Sequence, residues 1–238
     1  MSSTIPKSSP TPLKVAMLLY PGFTLLDLAG PQAVLGMHAE TYLCWKTTDP
    51  VPTDSGVSIN PTHTFDEVPD DLDVLFVPGG YRTNDAMRDD EIIDFLVEKG
   101  GTAGYVTSVC SGALILAMAG LLDGYRAATH WAVHDVLESM GVETAPDRVV
   151  HDRNRMTGGG VTAGIDFGLA LLAELRGEEV AKVTQLMVEY DPEPPFDTGH
   201  PDRAGPEMVA GIRAMMGDEA NRDGVAIGRD KRGSRAAA

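Results

Sequence analysis

A cysteine lies where two apolar segments of the chain meet. Cys110 follows the β-like run AGYVTSV and precedes the helix-like run GALILAMAGLL, within the short sequence SVCSG. Small residues on both sides of a nucleophile are typical of the sharp strand-to-helix turn called a nucleophile elbow. Unpaired N–H groups at a helix start favour a thiolate. We therefore predict a reactive thiol at Cys110 rather than a buried structural cysteine, and a core residue at Cys44 in the strand-like TYLCWK.

A thiol nucleophile needs a group that can carry a proton. The residue after Cys110 is Ser111, so the sequence contains no adjacent Cys-His pair. Asp27, in LLDLAGP, is a lone carboxylate between apolar neighbours just past the first predicted strand. Burial there would raise its pKa toward the range useful for acid–base work. The sequence therefore favours Asp27 as the general acid–base, with a helix cap as the alternative role.

Two other patterns are weaker. His130 and His134 lie four positions apart in HWAVH, but no third ligand accompanies them, so we predict a packing or surface role and no metal. The segment TGGGVTAG fits the dinucleotide pattern G-x-G-x-x-A, yet a polar hairpin precedes it where a buried strand is required. We therefore expect these glycines to let the chain pass close to the corner at Cys110.

The elements that must position these residues alternate between strand-like and helix-like segments. A helix is predicted to start near Pro31, and others follow the later strands, while RVVHDRNRMTGGG is typical of a hairpin. Such alternation predicts an α/β fold with a mostly parallel sheet covered by helices on both faces. Because Gly22, Gly79–Gly80 and Cys110 each follow a strand end, we expect them to converge on one rim. The predicted buried strands are LKVAMLLYPG, TYLCWKTT, LDVLFVPGG and AGYVTSV.

Composition limits the classes of function. The chain has 238 residues and a net charge of −16, which disfavours nucleic acid and anionic membranes as partners. Its two cysteines form no disulfide framework, and neither a signal peptide nor a membrane span is evident, so a cytoplasmic protein is expected. We predict a disordered lead at 1–12, one domain at 13–220 and a mobile tail at 221–238.

Several segments together resemble the ThiJ/PfpI superfamily. They are VTSVCSGALILAMAGLLDGYRAATHWAVH and RMTGGGVTAGIDFGLALLAEL, with LDLAGP, VPGG, THWA and PPFDTG elsewhere. The resemblance covers about Val15 to Val209 and is strongest to members that hydrate isonitriles. It implies a flavodoxin-like fold with the cysteine on an elbow, and a homodimer whose site lies close to the subunit interface.

The resemblance also implies residue roles. Cys110 would attack the terminal carbon of a small-molecule isonitrile, and Asp27 would protonate it and later activate water, giving an N-substituted formamide. Gly80, following Gly79 in VPGG, and the amide of Ser111 would be donors to developing charge, where Ser111 replaces the threonine frequent in such hydratases. Val161 would line the pocket. No metal or organic cofactor is implied.

Three alternatives remain open at this stage. AraC-type regulators carry a similar module as a ligand sensor, although only about thirty residues follow Val209, fewer than a typical domain needs. The second alternative is a PfpI-like peptidase or a glyoxalase-type hydratase. The lack of histidine after Cys110 argues against the peptidase, and aspartate at position 27 argues against the glyoxalase-type hydratase. A redox sensor that oxidises Cys110 is the third.

Overall fold

The computed structural model describes residues 11–216, 223–228 and 230. Apolar, β-branched runs such as VLFV and YVTSV form strands that are buried on both faces, as a sheet covered on two sides requires. The strands are β1 (Leu13–Leu18), β2 (Ala39–Trp45), β3 (Val51–Pro52), β4 (Ser58–Ile59), β5 (His63–Thr64), β6 (Val74–Val77), β7 (Tyr105–Val109), β8 (Arg126–Ala127), β9 (Glu143–Thr144), β10 (Val149–Asp152) and β11 (Arg155–Gly158).

The helices form two groups that pack within themselves, α1 with α6 and α7, and α2 with α3 and α4, and so cover the two faces of the sheet. The structure also contains two 3₁₀ turns, Phe65–Glu67 and Trp131–Val133. The helices are α1 (Leu25–Leu35), α2 (Thr83–Arg88), α3 (Asp90–Thr102), α4 (Gly112–Met118), α5 (His134–Ser139), α6 (Ala163–Arg176), α7 (Glu178–Met187), α8 (Pro201–Ala204) and α9 (Pro206–Met216).

Within the described part of the chain, seven strands form the central sheet in the order β10-β11-β7-β6-β1-β2-β5. All neighbours are parallel except β10 and β11, which form the predicted antiparallel hairpin. The carboxyl ends of β1, β6 and β7 are therefore adjacent, and the loops that follow them meet at one rim. This confirms the predicted α/β architecture with a mostly parallel sheet.

The predicted start of the first helix is wrong. The helix α1 begins at Leu25, whose amide donates to Asp54 Oδ1 (3.0 Å), and Pro31 lies inside it. Proline in a helix interior removes a hydrogen bond to the carbonyl four residues earlier. Here the ring is accommodated because α6 presents glycines: a Cβ at Gly164 would lie 3.0 Å from Pro31 Cδ. Tertiary packing thus overrides the local signal.

The predicted terminal segments are described only in part. Residues 1–10 of the predicted lead lie outside the described residues. Within the predicted tail, residues 223–228 are helical, and Ile227 belongs to the hydrophobic core. The rest of that tail, apart from position 230, also lies outside the description. No helix among the described residues is long and apolar enough to cross a membrane.

Candidate active site

Cys110 occupies the single residue between β7 and the N-cap of α4. Its φ of 55° is a left-handed conformation that non-glycine residues adopt rarely. The backbone holds it there, because its amide donates to the carbonyls of Gly158 (3.1 Å) and Gly159 (2.8 Å), and its own carbonyl accepts from Thr129 Oγ1 (2.8 Å). The glycine segment therefore passes close to the cysteine corner, as the sequence predicts.

The loop after β6 approaches the same corner from the other side. A Cβ atom at Gly79 would lie 2.5 Å from the Ser111 amide nitrogen and 2.9 Å from Cys110 Cβ. No other residue type fits such contacts with backbone atoms. Gly79 in VPGG is thus explained by the space next to the cysteine, whereas a Cβ at Gly80 would lie 2.5 Å from the Gly22 carbonyl oxygen and 2.6 Å from Phe23 Cα.

Asp27 lies in the first turn of α1 and is fully buried. It does not cap the helix, because the N-cap position belongs to Thr24. Its Oδ2 accepts the amide of Gly79 (2.9 Å), and Thr24 N donates back to the Gly79 carbonyl (2.9 Å). Apart from the interaction of the carboxylate with the Cys110 thiol, its Oδ1 has no hydrogen-bond partner among the described residues. One oxygen is therefore held by the protein, while the other is free to carry a proton.

Asp27 and Cys110 shift each other's protonation. Burial raises the pKa of Asp27 to about 7, partly opposed by hydrogen bonds from the Gly79 amide and the Cys110 thiol, while Asp54 raises it slightly. Burial and the Asp27 charge raise the pKa of Cys110 well above its usual value, although the amides of Ser111 and Val161 donate to its sulfur. Burial therefore opposes the stabilisation that the helix start offers to a thiolate at Cys110, and the reactive thiolate stays a prediction.

One of the two predicted donors to developing charge, the Gly80 amide, is engaged elsewhere in the site. The Gly79 amide holds Asp27, and the Gly80 amide donates to Ser111 Oγ (3.0 Å). Ser111 Oγ also lies 2.7 Å from Thr83 Oγ1. The Gly80 prediction is therefore corrected: its amide fixes Ser111. Of the two predicted donors, only the Ser111 amide interacts with the sulfur of Cys110. The amide of Val161 interacts with the same sulfur.

A cavity of about 860 Å³ opens beside these groups. Cys110, Ser111, Gly80 and Val161 line it. Its wider walls are mostly apolar, and they come from distant parts of the chain. The other lining residues include Leu25, Leu26, Leu114, Trp131, Val133, Val136, Ile212 and Met215.

Sequence reasoning missed several of these residues. Thr83 and His130 line the cavity, although the sequence assigned His130 to packing or the surface. Ile212 and Met215 lie on α9, about one hundred residues after the cysteine, and only the fold brings them to the site. His130 directly follows Thr129, whose hydroxyl donates to the cysteine carbonyl. Nothing in the sequence alone indicates that His130 lies at the cavity.

The fold and the site define a parallel-sheet α/β protein with a cysteine and a buried carboxylate at the carboxyl ends of its strands. Residues 13–174 match the model of the DJ-1/PfpI family, and the chain belongs to this family. An isonitrile hydratase of Pseudomonas putida is 47% identical over 199 residues, covering 83% of this chain and 87% of that protein.

Two further comparisons extend this result. The crystal structure of a ThiJ/PfpI family protein from Pseudomonas syringae has a TM-score of 0.88 and 44% identity, covering 95% of this chain and 98% of that one. The HTH-type transcriptional regulator GbdR of Pseudomonas aeruginosa is 30% identical over 200 residues. The match covers 79% of this chain and 53% of the regulator, so this chain spans about half the length of that relative.

Proposed function

We propose that this chain is an isonitrile hydratase that converts R–NC and water into an N-substituted formamide. The observation that carries the proposal is the pairing of the buried Asp27 carboxylate with Cys110. Each of the two groups shifts the pKa of the other, and Cys110 lies at the edge of a cavity with mostly apolar walls. The chemistry needs one nucleophile and one group that takes and returns protons near neutral pH. The similarity to the Pseudomonas putida hydratase over most of both chains supports the same activity.

In the first half-reaction, the Cys110 sulfur bonds to the terminal carbon of the isonitrile. Burial raises the pKa of the thiol, and the Asp27 carboxylate that interacts with it is positioned to take its proton. The thiol proton therefore leaves as the carbon–sulfur bond forms, passing through the free Oδ1 of Asp27 to the same carbon. The product is a thioimidate, Cys110–S–CH=N–R, in which the proton count is unchanged.

In the second half-reaction, water adds to the thioimidate carbon. Asp27 removes one proton from the water, and the nitrogen gains one, which gives a tetrahedral intermediate. Its collapse forms the formamide C=O bond and breaks the carbon–sulfur bond, and Cys110 regains a proton. The amides of Ser111 and Val161, which donate to the sulfur, stabilise the leaving thiolate.

The direct test is the reaction of the purified protein with a simple aryl or alkyl isonitrile. We expect stoichiometric formamide, identified by mass spectrometry, with one oxygen from the solvent when the reaction is run in ¹⁸O-water. Formamide production no faster than in a boiled sample would contradict the proposed activity.

We also propose that the protein is a homodimer. Three large apolar side chains near the end of α7 and in the following proline-rich loop are strongly exposed: Leu186 (82%), Met187 (69%) and Phe196 (77%). Such neighbouring exposure is typical of a protein–protein contact. We expect light scattering to give twice the 25.3 kDa chain mass. The double variant Leu186→Lys/Met187→Lys should lower that mass, whereas Val97→Lys on α3 should not; a wild-type monomer at micromolar concentration would refute the dimer.

A further inference from the structure

We propose that His130 is a further catalytic residue, whose Nε2–H donates a hydrogen bond to the substrate nitrogen after Cys110 has attacked the isonitrile carbon. The inference rests on the proposed hydratase activity and assigns a group to its intermediate. It concerns a cavity-lining side chain that neither of the half-reactions above uses.

His130 is fixed beside the cysteine from two directions. The preceding residue, Thr129, donates its hydroxyl to the Cys110 carbonyl (2.8 Å). On the other side, a Cβ at Gly160 would lie 2.7 Å from His130 Cδ2 and 3.3 Å from Nε2. The backbone amide of the next residue, Val161, lies close enough to the Cys110 sulfur to lower its pKa. The Nε2 edge of the imidazole therefore lies against the segment that contacts the nucleophile.

Hydrogen bonding fixes which nitrogen carries the proton. His130 Nδ1 accepts the amide of Ala132 (3.3 Å), so the neutral ring carries its proton on Nε2. Nε2 has no hydrogen-bond partner within the described residues, although it belongs to a cavity wall. By contrast, the cavity-lining hydroxyls of Ser55, Thr83 and Ser111 each lie within hydrogen-bond distance of another protein group. His130 therefore offers, on a cavity-lining side chain, an N–H that no described protein group accepts.

The ring stays neutral under the conditions in which Asp27 works. Burial lowers the pKa of His130, and the neighbouring His134 lowers it further. Protonation would also place a second N–H on Nδ1, opposite the Ala132 amide that it now accepts. A neutral Nε2–H can polarise a substrate without competing with Asp27 for protons.

The chemistry of the substrate gives this donor a selective role. The nitrogen of an isonitrile has no lone pair available, because all its valence electrons are in bonds. A lone pair appears on nitrogen only when the sulfur has added to carbon and the thioimidate C=N is formed. A donor placed there binds the intermediate better than the substrate, which is the condition for accelerating a reaction. His130 transfers no net proton: the one that nitrogen gains comes from water.

The test uses two variants with opposite geometry. His130→Asn keeps an oxygen near the Nδ1 position, so it can still accept from Ala132, but it lacks a group at Nε2. His130→Gln places an amide N–H near Nε2 and loses the cap. We expect kcat of His130→Asn to fall about 10- to 10²-fold, with a Cys110 adduct equal to the isonitrile mass accumulating in intact-protein mass spectra. We expect His130→Gln to retain more activity than His130→Asn and to show less adduct.

A purely structural role predicts the reverse order. Wild-type turnover by His130→Asn, or equal loss in both variants, would overturn the assignment, provided that melting temperatures show folded proteins; His134→Gln, which does not line the cavity, is the matched control. Wild-type protein is assayed alongside. If the wild type forms formamide and His130→Asn is fully active, only the role of His130 is refuted. If the wild type forms no formamide, the proposed function is refuted as well.

Discussion

We expect Cys110→Ser to abolish formamide production, with a loss of about 10³-fold or more. A serine hydroxyl is far less acidic than a thiol and needs a strong base to become a nucleophile. The nearby candidates are unsuitable: Asp27 has a pKa of about 7, and Nδ1 of His130 is occupied by the Ala132 amide. The fold should persist, since serine can keep the backbone contacts with Gly158, Gly159 and Thr129.

Cys44→Ser is the matched control for this variant. Cys44 lies on β2, three strands from β7, and its sulfur donates to the Met17 carbonyl (3.4 Å), which a hydroxyl can also do. We expect its turnover to remain within about twofold of wild type, because no group at the cavity is altered. Turnover by Cys110→Ser within about tenfold of wild type would remove the covalent thioimidate from the mechanism.

The sequence predicts the architecture well because continuous apolar runs and turn residues are local signals. Runs such as VLFV and YVTSV have one stable outcome, a strand buried on both faces. The start of α1 could not be read in this way. Proline is favoured in the first turn of a helix, and the space for Pro31 inside α1 is left by Gly164 and Gly168 of α6, more than one hundred residues later.

The sequence likewise predicts which residues meet at the candidate site, but not the partner of each of their backbone amides. Cys110 and Asp27 come together because the ends of parallel strands share a rim, which the order of strands alone implies. The partners of individual amides do not follow from that order: Gly80 N–H turns to Ser111 Oγ, and Gly79 N–H to Asp27. Likewise, the pKa of Cys110 depends on how deeply the fold buries it, and the helix start that the sequence reveals is the weaker effect.

Asp27→Asn should separate proton transfer from structure. Asparagine can still accept the Gly79 amide through its side-chain oxygen, but it cannot take up and release a proton. We therefore expect turnover to fall about 10²-fold or more, while the protein remains folded. In the wild type, the ionised form of Asp27 is the one that removes the thiol proton, so kcat/KM should decrease as the pH falls below about 7. A pH–rate profile that is flat from about pH 5 to about pH 8 would contradict this role.

The same substitution should make the protein more stable at neutral pH. The pKa of Asp27 rises from its usual 3.8 to about 7 on folding, so the folded protein holds this proton more tightly than the unfolded chain. Wild-type stability therefore falls as the pH rises from about 4 to about 7, by about 4 kcal/mol at most, at about 1.4 kcal/mol per pKa unit. Asparagine does not titrate and avoids this loss.

Melting temperatures measured across that pH range will show the difference. We expect the melting temperature of Asp27→Asn to rise steadily relative to that of the wild type from about pH 4 to about pH 7. Above about pH 7, the difference should stay constant. Asp147→Asn, at an exposed aspartate away from the cavity, is the control for an Asp→Asn substitution as such. A gap between Asp27→Asn and wild type that is the same at about pH 4 and about pH 8 would mean that folding does not raise the pKa of Asp27, and would contradict its exchange of protons near neutral pH.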